Sequence, residues 1–338
     1  MIIAVDAMGG DHGVSVTVPA AFKALAENDD LSLILVGDQS VIEELIIKQN
    51  RPELACRVTI RHASQQVLMD ELPSRALRNK KDSSLRKAVD LVKAKEADAC
   101  VSAGNTGALV AISRFVLKMF PGIDLPAITT QMPTMVLGKN VNILDLGANL
   151  GTDASYLFQL AVMGSVLSTV VYGIPEPKVA LLNIGSEEIK GNEQVKKAAQ
   201  MLIANKNVNY VGFVEGDHIF KGEVDVIVCD GFTGNIVLKT IEGAMKLVTF
   251  YAKRNMLRNW FTKLTALLAL PMLKEMRKEI DPGKYNGATL LGLNGIVVKS
   301  HGGADVRAFS QAILRAAVEA GSKVPEKIKD ELARIIQT

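Results

Sequence analysis

Cysteine is scarce in this 338-residue chain: Cys56, Cys100 and Cys229 are the only three, and no two of them form a Cys-x-x-Cys pair. Disulfide frameworks belong to much shorter secreted chains, so this content indicates a reducing compartment. The net charge of only +3 gives no sign of a nucleic-acid partner. We find no basic segment before the first apolar stretch and no apolar run of membrane-spanning length, and we therefore predict a cytoplasmic protein.

Several motifs of catalysis and cofactor binding are also missing. The sequence has no phosphate-binding P-loop, no Gly-x-Gly-x-x-Gly fingerprint after a strand and no Gly-x-Ser-x-Gly elbow. Spacings typical of metal ligands are absent, so we expect neither a metal nor a cofactor. None of the four histidines neighbours a cysteine in sequence, and Cys229 is better interpreted as a buried strand residue than as a nucleophile.

Short β-rich runs alternate with helical patterns along most of the chain. Several runs are apolar without alternation, which is typical of strands covered on both faces. The runs are 1–7, 31–37, 56–63, 98–104, 127–132, 141–147, 178–185, 208–213, 225–231 and 295–302, and the clearest helical patterns are 83–97, 107–120 and 192–206. We predict one α/β domain over residues 1–338, a three-layer α/β/α sandwich.

Glycine-rich segments follow six of the predicted strands. They cover residues 5–13, 101–108, 144–153, 182–192, 229–235 and 299–305. In an open α/β sheet the loops at the carboxyl ends of the strands converge on one crevice, so we expect all six on one rim. Their main-chain amides and the following helix N-termini suit phosphate or an oxyanion. Taken singly, each loop is better explained by ordinary turn and cap chemistry, and it is the set of six that favours a binding site.

Two side chains in these loops are candidates for chemistry. Lys190, between two glycines, could hold a phosphate as a point charge, although a solvated loop lysine is the alternative. His301 could donate to a developing oxyanion or pass a proton to a leaving group. A histidine that satisfies a turn carbonyl is the alternative for that position.

Two surface features suggest partners. The basic segment contains Arg75, Arg78, Lys80, Lys81 and Arg86. It could dock an acidic partner, or it could simply be a solvated helix face.

The second feature is the apolar segment, within a predicted amphipathic helical protrusion over 246–284. Its six large apolar residues at helical spacing are Leu257, Trp260, Phe261, Leu264, Leu267 and Leu268. Lysine and arginine flank them, which is typical of a helix that lies on a membrane surface. Packing against a dimer partner is the alternative.

Seven segments together resemble the PlsX family, the phosphate acyltransferases of bacterial phospholipid synthesis. They are VDAMGGD (5–11), PSRALRNKKDSS (73–84), VSAGNTGAL (101–109), LDLGAN (144–149), ALLNIGSEEIKG (180–191), VCDGFTGNIVLK (228–239) and YNGATLLGLNGIVVKSHG (285–302). The resemblance covers nearly the whole chain in order. One departure is Gly151, where the family often has an acid, and Asp153 could take that place.

The resemblance implies that the chain transfers a long-chain acyl group from acyl carrier protein to inorganic phosphate. It also implies a homodimer with one large mixed sheet, similar to the isocitrate and isopropylmalate dehydrogenases but without their cofactor. The acyl phosphate would pass to a membrane glycerol-3-phosphate acyltransferase, with this chain held at the inner face of the cell membrane. Phosphate is itself the nucleophile in such a reaction, which agrees with the missing serine and cysteine motifs.

The resemblance also implies roles for residues. The catalytic set is Lys190, Asp230, Asn235 and His301, and the substrate-binding set is Gly9, Gly10, Asp11, Ser102, Gly104, Asn105, Thr106, Asp145, Asn149, Gly185, Gly191, Thr233 and Gly234. Phosphate would contact Ser102, Gly104, Asn105, Thr106 and Lys190. Residues 233–235 would face the thioester carbonyl, with Asp145 and Asp230 orienting donors. The basic segment would dock the carrier protein and the apolar segment would contact the membrane.

Two other functions fit parts of the sequence. A decarboxylating dehydrogenase of similar fold would need nicotinamide and metal ligands that the sequence does not reveal. A non-catalytic, membrane-associated scaffold for lipid enzymes would need only the surface features.

Overall fold

The computed structural model describes residues 1–151, 153–273, 275 and 286–336. Its strands are β1 (Ile2–Asp6), β2 (Ser32–Gly37), β3 (Val58–His62), β4 (Ala99–Ser102), β5 (Ala127–Pro133), β6 (Asn140–Leu144), β7 (Val179–Leu182), β8 (Tyr210–Val214), β9 (Val226–Val228), β10 (Ala288–Leu291) and β11 (Ile296–Lys299). Its helices are α1 (Val14–Glu27), α2 (Gln39–Gln49), α3 (Pro52–Ala55), α4 (Pro73–Asn79), α5 (Ser84–Lys93), α6 (Thr106–Leu117), α7 (Ala154–Tyr172), α8 (Glu193–Ala204), α9 (Gly231–Met256), α10 (Trp260–Leu268), α11 (Val306–Gly321) and α12 (Val324–Ile336).

All of these strands belong to one sheet, in the order β3-β2-β1-β4-β11-β10-β5-β6-β9-β7-β8. Strands β3, β2, β1, β4 and β11 are mutually parallel, and so are β6, β9, β7 and β8. Between the two blocks, β11–β10, β10–β5 and β5–β6 are antiparallel pairs. Three reversals point the two blocks in opposite directions. The expected α/β fold with one large mixed sheet is confirmed.

The strands inside the sheet are largely buried on both faces, as their apolar runs predict, whereas the outermost strands β3 and β8 are partly exposed. In β1, Ile3 and Val5 face one core cluster and Ala4 faces another on the opposite side of the sheet. Helices α1 and α11 pack together over the first face, while α5 and α6 cover the second. The three-layer arrangement follows from this burial, since each sheet face needs an apolar helix layer.

Strand β10 is absent from the sequence prediction. Its four residues, Ala288–Leu291, lie between Gly287 and Gly292, and so short a run carries little periodic signal. It nevertheless matters, because its antiparallel insertion begins the change of direction in the sheet.

The expectation that no run reaches membrane-spanning length is wrong. Helix α7 has 19 residues, none of them charged, and is long and apolar enough to cross a membrane. Two thirds of its apolar window is buried inside the fold, where Leu160, Ala161 and Met163 are fully covered. Such a helix is typical of the core layer of a large α/β sheet.

Candidate active site

The carboxyl ends of β1, β4 and β11 lie side by side at one edge of the sheet, here called the first edge. Their loops interlock through glycine contacts. A Cβ at Gly9 would lie 2.5 Å from Asp6 Oδ2 and 2.9 Å from the Gly104 amide nitrogen, so only glycine fits there. The Asp11 amide donates to the Gly302 carbonyl at 2.9 Å, which joins the β1 and β11 loops.

Asp6 and Ser102 form the buried floor of the first edge. The Ser102 hydroxyl donates to Asp6 Oδ2 at 2.6 Å and accepts the Gly104 amide at 3.0 Å. Burial raises the pKa of the Asp6 carboxyl, although hydrogen bonds from Ser102 and the main chain oppose the rise. Both side chains are about 1% exposed. The Ser102 hydroxyl orders the β4 loop through these two hydrogen bonds, and its contact with phosphate stays a prediction.

Asn105 is likewise engaged within the protein. Its Oδ1 accepts the Ala108 amide at 3.0 Å, and its Nδ2 donates to the carbonyl oxygens of Met69 (2.8 Å) and Glu71 (2.9 Å). Because the first turn of a helix leaves amides without intrahelical acceptors, those of Thr106 and Gly107 remain for a ligand. Asn105 thus caps α6 and holds the preceding segment, while the helix N-terminus faces the first edge.

The hydrogen bonds of His301 fix its tautomer. Its Nδ1 accepts the Gly303 amide at 3.0 Å, so in the neutral ring the proton lies on Nε2. The side chain is 54% exposed, and Glu242 Oε2 lies 4.0 Å from Nε2. Burial lowers the pKa of His301 and the nearby Lys239 and Lys299 lower it further, while the carboxylates of Glu242 and Asp11 oppose the shift. At neutral pH the ring therefore presents an N–H donor to the first edge.

Lys299, at the end of β11, is a first-edge residue that the sequence prediction missed. Its amino group donates to the Ala103 carbonyl at 3.3 Å and to the Ser300 carbonyl. The residue is only 9% exposed. Lys299 is the first residue of the motif KSHGGAD, which the sequence analysis singled out for its histidine. A lysine at a strand end usually reaches solvent, so the sequence alone favoured His301 over Lys299.

The carboxyl ends of β6, β7 and β9 lie at the opposite edge, here called the second edge. Asp145 organises the loop after β6. Its carboxylate accepts the amides of Ile128, Gly147, Ala148 and Asn149 between 2.9 and 3.1 Å. Burial raises the pKa of Asp145 against these hydrogen bonds. Through these four hydrogen bonds Asp145 holds the β6 loop in place, and its role toward substrate stays a prediction.

Asn149 completes the network around Asp145. Its Nδ2 donates to Pro126 O at 2.6 Å and to Asp145 Oδ2 at 3.1 Å, and it lies 2.6 Å from the Tyr156 hydroxyl. The Tyr156 hydroxyl in turn donates to Asp145 Oδ2 at 3.2 Å. The predicted substrate-binding amide is therefore part of the protein's own framework.

Helix α9 begins at Gly231, inside the glycine-rich segment 229–235 that was predicted to precede the helix. Asp230 caps it by accepting the Thr233 amide at 2.9 Å and the Thr233 hydroxyl at 2.6 Å. A Cβ at Gly234 would lie 1.9 Å from the Asp145 carbonyl oxygen, so this glycine permits the helix to approach the β6 loop. Asn235 lies on the first turns of α9 and is exposed, with its side chain beside Gly147 of the β6 loop.

Lys190 belongs to the loop after β7. Its Nζ lies 2.9 Å from Glu187 Oε1, in an ion pair whose side chains are about half exposed. Hydrogen bonding and charge attraction from Glu187 raise the pKa of Lys190. Gly185 and Gly191 lie in the same loop, with Gly191 at φ +94°. Lys190 is a charged surface group with an acidic neighbour of its own.

The prediction that all six glycine-rich loops share one rim is wrong for a single chain. The first edge holds Gly9, Gly10, Asp11, Ser102, Gly104, Asn105, Thr106 and His301, whereas the second edge holds Asp145, Asn149, Gly185, Lys190, Gly191, Asp230, Thr233, Gly234 and Asn235. The physical reason is the run of antiparallel pairs through β10 and β5, which reverses the second parallel block. Helix α9 starts at the second edge and brings Glu242 to His301 at the first.

The basic segment lies beside the first edge. A Cβ at Gly107, on the first turn of α6, would lie 2.7 Å from Pro73 Cγ, so the start of α4 abuts that helix. Arg75, Arg78 and Lys81 are exposed, Lys80 is half-buried, and Arg86 pairs with Asp90 at 3.0 Å. This arrangement places exposed positive charge next to the α6 N-terminus.

Cys229 is a buried strand-end residue, as predicted, with 4% exposure. Burial raises the pKa of its thiol, and the carboxylates of Asp230 and Asp145 raise it further. Cys100 is also buried, and burial likewise raises its pKa. Neither thiol has the lowered pKa of a cysteine nucleophile. Within the described ranges, no group of three His, Cys, Asp or Glu side chains could hold a metal ion.

The apolar segment is uncovered. Trp260 and Leu268 are each 76% exposed, and Leu257, Phe261, Leu264 and Leu267 are also exposed. Helix α10 packs against α9, with a capping box between Asn259 and Thr262 at its start. Residues 274 and 276–284 of the predicted protrusion lie outside the described residues.

A model of the family described as fatty acid synthesis protein matches residues 1–327. The chain is 56% identical over 330 residues to a phosphate acyltransferase of Nitrosococcus oceani, covering 98% of this chain and 96% of that protein. It is 54% identical over 331 residues to one of Legionella pneumophila (strain Paris), again covering 98% and 96%. A phosphate acyltransferase of Hydrogenovibrio crunogenus is 53% identical over 336 residues, covering 99% and 98%.

Solved structures with the same fold include a phosphotransacetylase from Streptococcus pyogenes. It has a TM-score of 0.64 at 19% identity and covers 95% of this chain and 94% of its own. A 4-hydroxythreonine-4-phosphate dehydrogenase from Salmonella typhimurium has a TM-score of 0.54 at 14% identity, covering 94% and 98%. At these identities the likeness concerns the fold, which transferases and dehydrogenases share.

Proposed function

This chain belongs to the phosphate acyltransferase family of fatty acid and phospholipid synthesis, and from that premise we propose that it acylates inorganic phosphate with long-chain acyl groups from acyl carrier protein. It is an acyltransferase. Membership of this family favours the acyltransferase function over the dehydrogenase and scaffold alternatives. The first edge is our candidate for the site of transfer, because it combines a neutral donor imidazole with free amides at a helix N-terminus.

The proposed reaction is a direct substitution. An oxygen of hydrogenphosphate forms a bond to the thioester carbonyl carbon, and the carbon–sulfur bond then breaks. The proton of hydrogenphosphate ends on the departing thiol, so no enzyme adduct is needed. His301 Nε2–H would stabilise the oxyanion of the tetrahedral intermediate. Holding both substrates in register can lower the barrier by about 7 to 11 kcal/mol.

The experiment that tests this function measures release of the carrier thiol from long-chain acyl carrier protein by the purified protein. We expect release to require phosphate and to match the acyl phosphate formed. Equal release without phosphate would contradict the proposal. A nicotinamide-dependent absorbance change would favour a dehydrogenase, and no turnover at all would favour a scaffold.

We place the carrier protein on the basic segment. Its exposed arginines and lysines suit an acidic partner, and the start of α4 abuts the first turn of α6. The apolar residues Leu68 and Leu72, 56% and 68% exposed, flank this surface. A carrier bound there would present its thioester to the first edge.

We also propose a homodimer. Helix α9 has 26 residues, yet only Gly231 and Gly234 are buried, while Leu247, Val248 and Phe250 are more than half exposed. A second copy could cover this helix and bring its own second edge, with Lys190, Asp230 and Asn235, to the first edge. The acyltransferase reaction would then use both halves of the predicted site.

The composite dimer site predicts complementation between two impaired variants, Asn235→Ala and His301→Ala. Random mixing makes half of the dimers mixed, each with one intact site, so activity should return to about a quarter of wild type. The assay is acyl phosphate formation after the two variants are unfolded together and refolded. Activity no higher than the mean of the separate variants would show that each chain works alone.

We propose that the apolar segment holds the enzyme at the inner face of the membrane, near the downstream glycerol-3-phosphate acyltransferase that takes its product. Six exposed apolar side chains on a protrusion flanked by lysine and arginine suit an anionic bilayer surface. Delivery of an acyl product there would limit its hydrolysis in water.

Membrane attachment predicts a clear effect of charge. The double change Trp260→Glu and Leu264→Glu should abolish sedimentation with anionic liposomes, because it places two carboxylates in the apolar face. The matched control, Ile47→Glu with Ile203→Glu, changes two exposed apolar residues on α2 and α8, each at least as exposed as its counterpart in the first variant, and should sediment as wild type. Unchanged sedimentation of the first variant would refute lipid contact by this segment.

A further inference from the structure

Burial of the charged Lys299 amino group is energetically unfavourable unless an anion binds to it. Its amino group is held by two carbonyl oxygens, those of Ala103 and Ser300. Among the described residues, no carboxylate lies within ion-pair distance of this amino group. The residue is only 9% exposed. Burying an ammonium group without a counter-ion is unfavourable. Within the described part of the chain, this positive charge therefore has no carboxylate in direct contact with it.

The surroundings of Lys299 combine several loops and charges. The Ala103 carbonyl belongs to the β4 loop that leads into α6, and His301 follows two residues after the lysine. Charged groups from three directions face it: Lys239 on α9, Asp11 in the β1 loop and the buried Asp6. The two carbonyl oxygens hold the amino group at the junction of the β4 and β11 loops. The positive charge is therefore in place before a ligand binds.

We propose that Lys299 binds the phosphate co-substrate, as a fixed point charge between the β4 and β11 loops and next to the free amides of Thr106 and Gly107. The inference rests on the proposed acyl transfer to phosphate. An ammonium group has three donors and no required plane, which suits the tetrahedral anion. The amides at the α6 N-terminus would supply further donors to the same anion. This arrangement would place phosphate close to the donor nitrogen of His301.

The same chemistry could bind the phosphodiester of the carrier's prosthetic arm instead of free phosphate. The two sources are distinguished by which Michaelis constant changes. Free phosphate at Lys299 predicts a change in the KM for phosphate alone, whereas a bound prosthetic arm predicts a change in the KM for the acyl carrier protein.

The decisive variants are Lys299→Met and Lys299→Arg. Methionine fills a similar volume without charge, and it removes the buried ammonium, so the fold should be retained. We expect the KM for phosphate to rise about 10- to 100-fold in the methionine variant, the loss that follows removal of one charge-assisted contact. The arginine variant should recover most of the affinity. Lys48→Met, which removes an exposed lysine on α2, is the matched control and should leave both constants unchanged.

A pH titration gives a second readout. Burial lowers the pKa of Lys299 to about 8, Lys239 lowers it as well, and Asp11 and Asp6 oppose this. The protonated form exists below that pKa, so the KM of wild type for phosphate should rise as the pH passes about 8. The arginine variant should lose this rise because arginine stays charged.

The outcomes separate this inference from the function on which it rests. Wild type without phosphate-dependent transfer would overturn the proposed function itself. Active wild type with an unchanged KM for phosphate in Lys299→Met, or with a change only in the KM for acyl carrier protein, would overturn the inference alone. Phosphate titration of the folded variants by calorimetry without an acyl donor provides the same decision independently of turnover, with tenfold weaker binding expected for methionine.

Discussion

Replacing His301 with alanine is expected to lower kcat about 100- to 1,000-fold, the usual cost of losing one oxyanion donor. The ring's Nδ1 accepts the Gly303 amide, which leaves Nε2–H as the group that can donate to substrate. Ground-state contacts remain, so the KM values for phosphate and for acyl carrier protein should change much less than kcat. Steady-state kinetics of acyl phosphate formation measures both.

His301→Gln provides the conservative test, because an amide N–H can replace part of the donor function and should restore some of the lost rate. The matched control is His218→Ala, which removes a partly exposed histidine that lies near Asp217 and Glu223. It should keep full activity. A His301→Ala enzyme with wild-type kcat would remove this residue from the chemistry.

The pH dependence of kcat follows from the same tautomer. Protonation would place an N–H on Nδ1 facing the Gly303 amide, so the protonated ring loses its hydrogen bond and its orientation. Since burial lowers the pKa of His301, the neutral working form is present at neutral pH and is lost as the pH falls below the usual histidine range. Wild-type kcat should therefore decline on the acid side, and the glutamine variant should lack that decline.

The second large effect concerns stability, through the buried pair of Arg315 and Glu319. Arg315 Nε donates to Glu319 Oε1 at 3.1 Å, and the Thr289 hydroxyl donates to the same carboxylate oxygen at 2.5 Å. Arg315 also donates to the Tyr172 hydroxyl. The pair joins α11 and β10 to the end of α7, and Glu319 is 1% exposed. It therefore connects the elements that flank the change of strand direction.

Glu319→Ala should lower the free energy of unfolding by about 3 to 5 kcal/mol, because it leaves the buried arginine without its carboxylate. Urea denaturation followed by circular dichroism measures this loss. The double variant Arg315→Met with Glu319→Leu removes both charges and should be far more stable than the single variant. Glu27→Ala, which breaks the exposed pair with Lys23, should cost no more than about 1 kcal/mol. Equal losses for Glu319→Ala and Glu27→Ala would show that the buried pair has no special weight.

Local pattern was sufficient to predict most elements of the fold. The apolar runs at Ile2–Asp6 and Ser32–Gly37 became buried parallel strands, and Asn105 and Asn192 cap helices as their positions indicate. Strand direction was not predictable, because a run such as Ala288–Leu291 has the same pattern whichever way it runs. Because strand β10 was not predicted, the prediction of the site was also wrong: the antiparallel pairs of β10 determine which loops share an edge of the sheet.

The candidate site, like the fold, was predicted from the sequence only in part. Glycine-rich loops after strands were visible in sequence, and His301 lies where a donor was expected. Whether a polar side chain points to a ligand or serves its own loop depends on tertiary contacts, so the occupied hydrogen bonds of Ser102 and Asp145 could not be foreseen. Lys299 was missed for the converse reason. Its burial is a property of three converging loops and not of its neighbours in sequence.

The central claim is that phosphate attacks the thioester directly, with no acyl group ever bound to the protein. Intact-protein mass spectrometry after rapid quenching, with long-chain acyl carrier protein and without phosphate, tests it most directly. We predict an unmodified protein mass and no release of carrier thiol until phosphate is added. A stoichiometric burst of thiol together with an acylated protein would contradict the account.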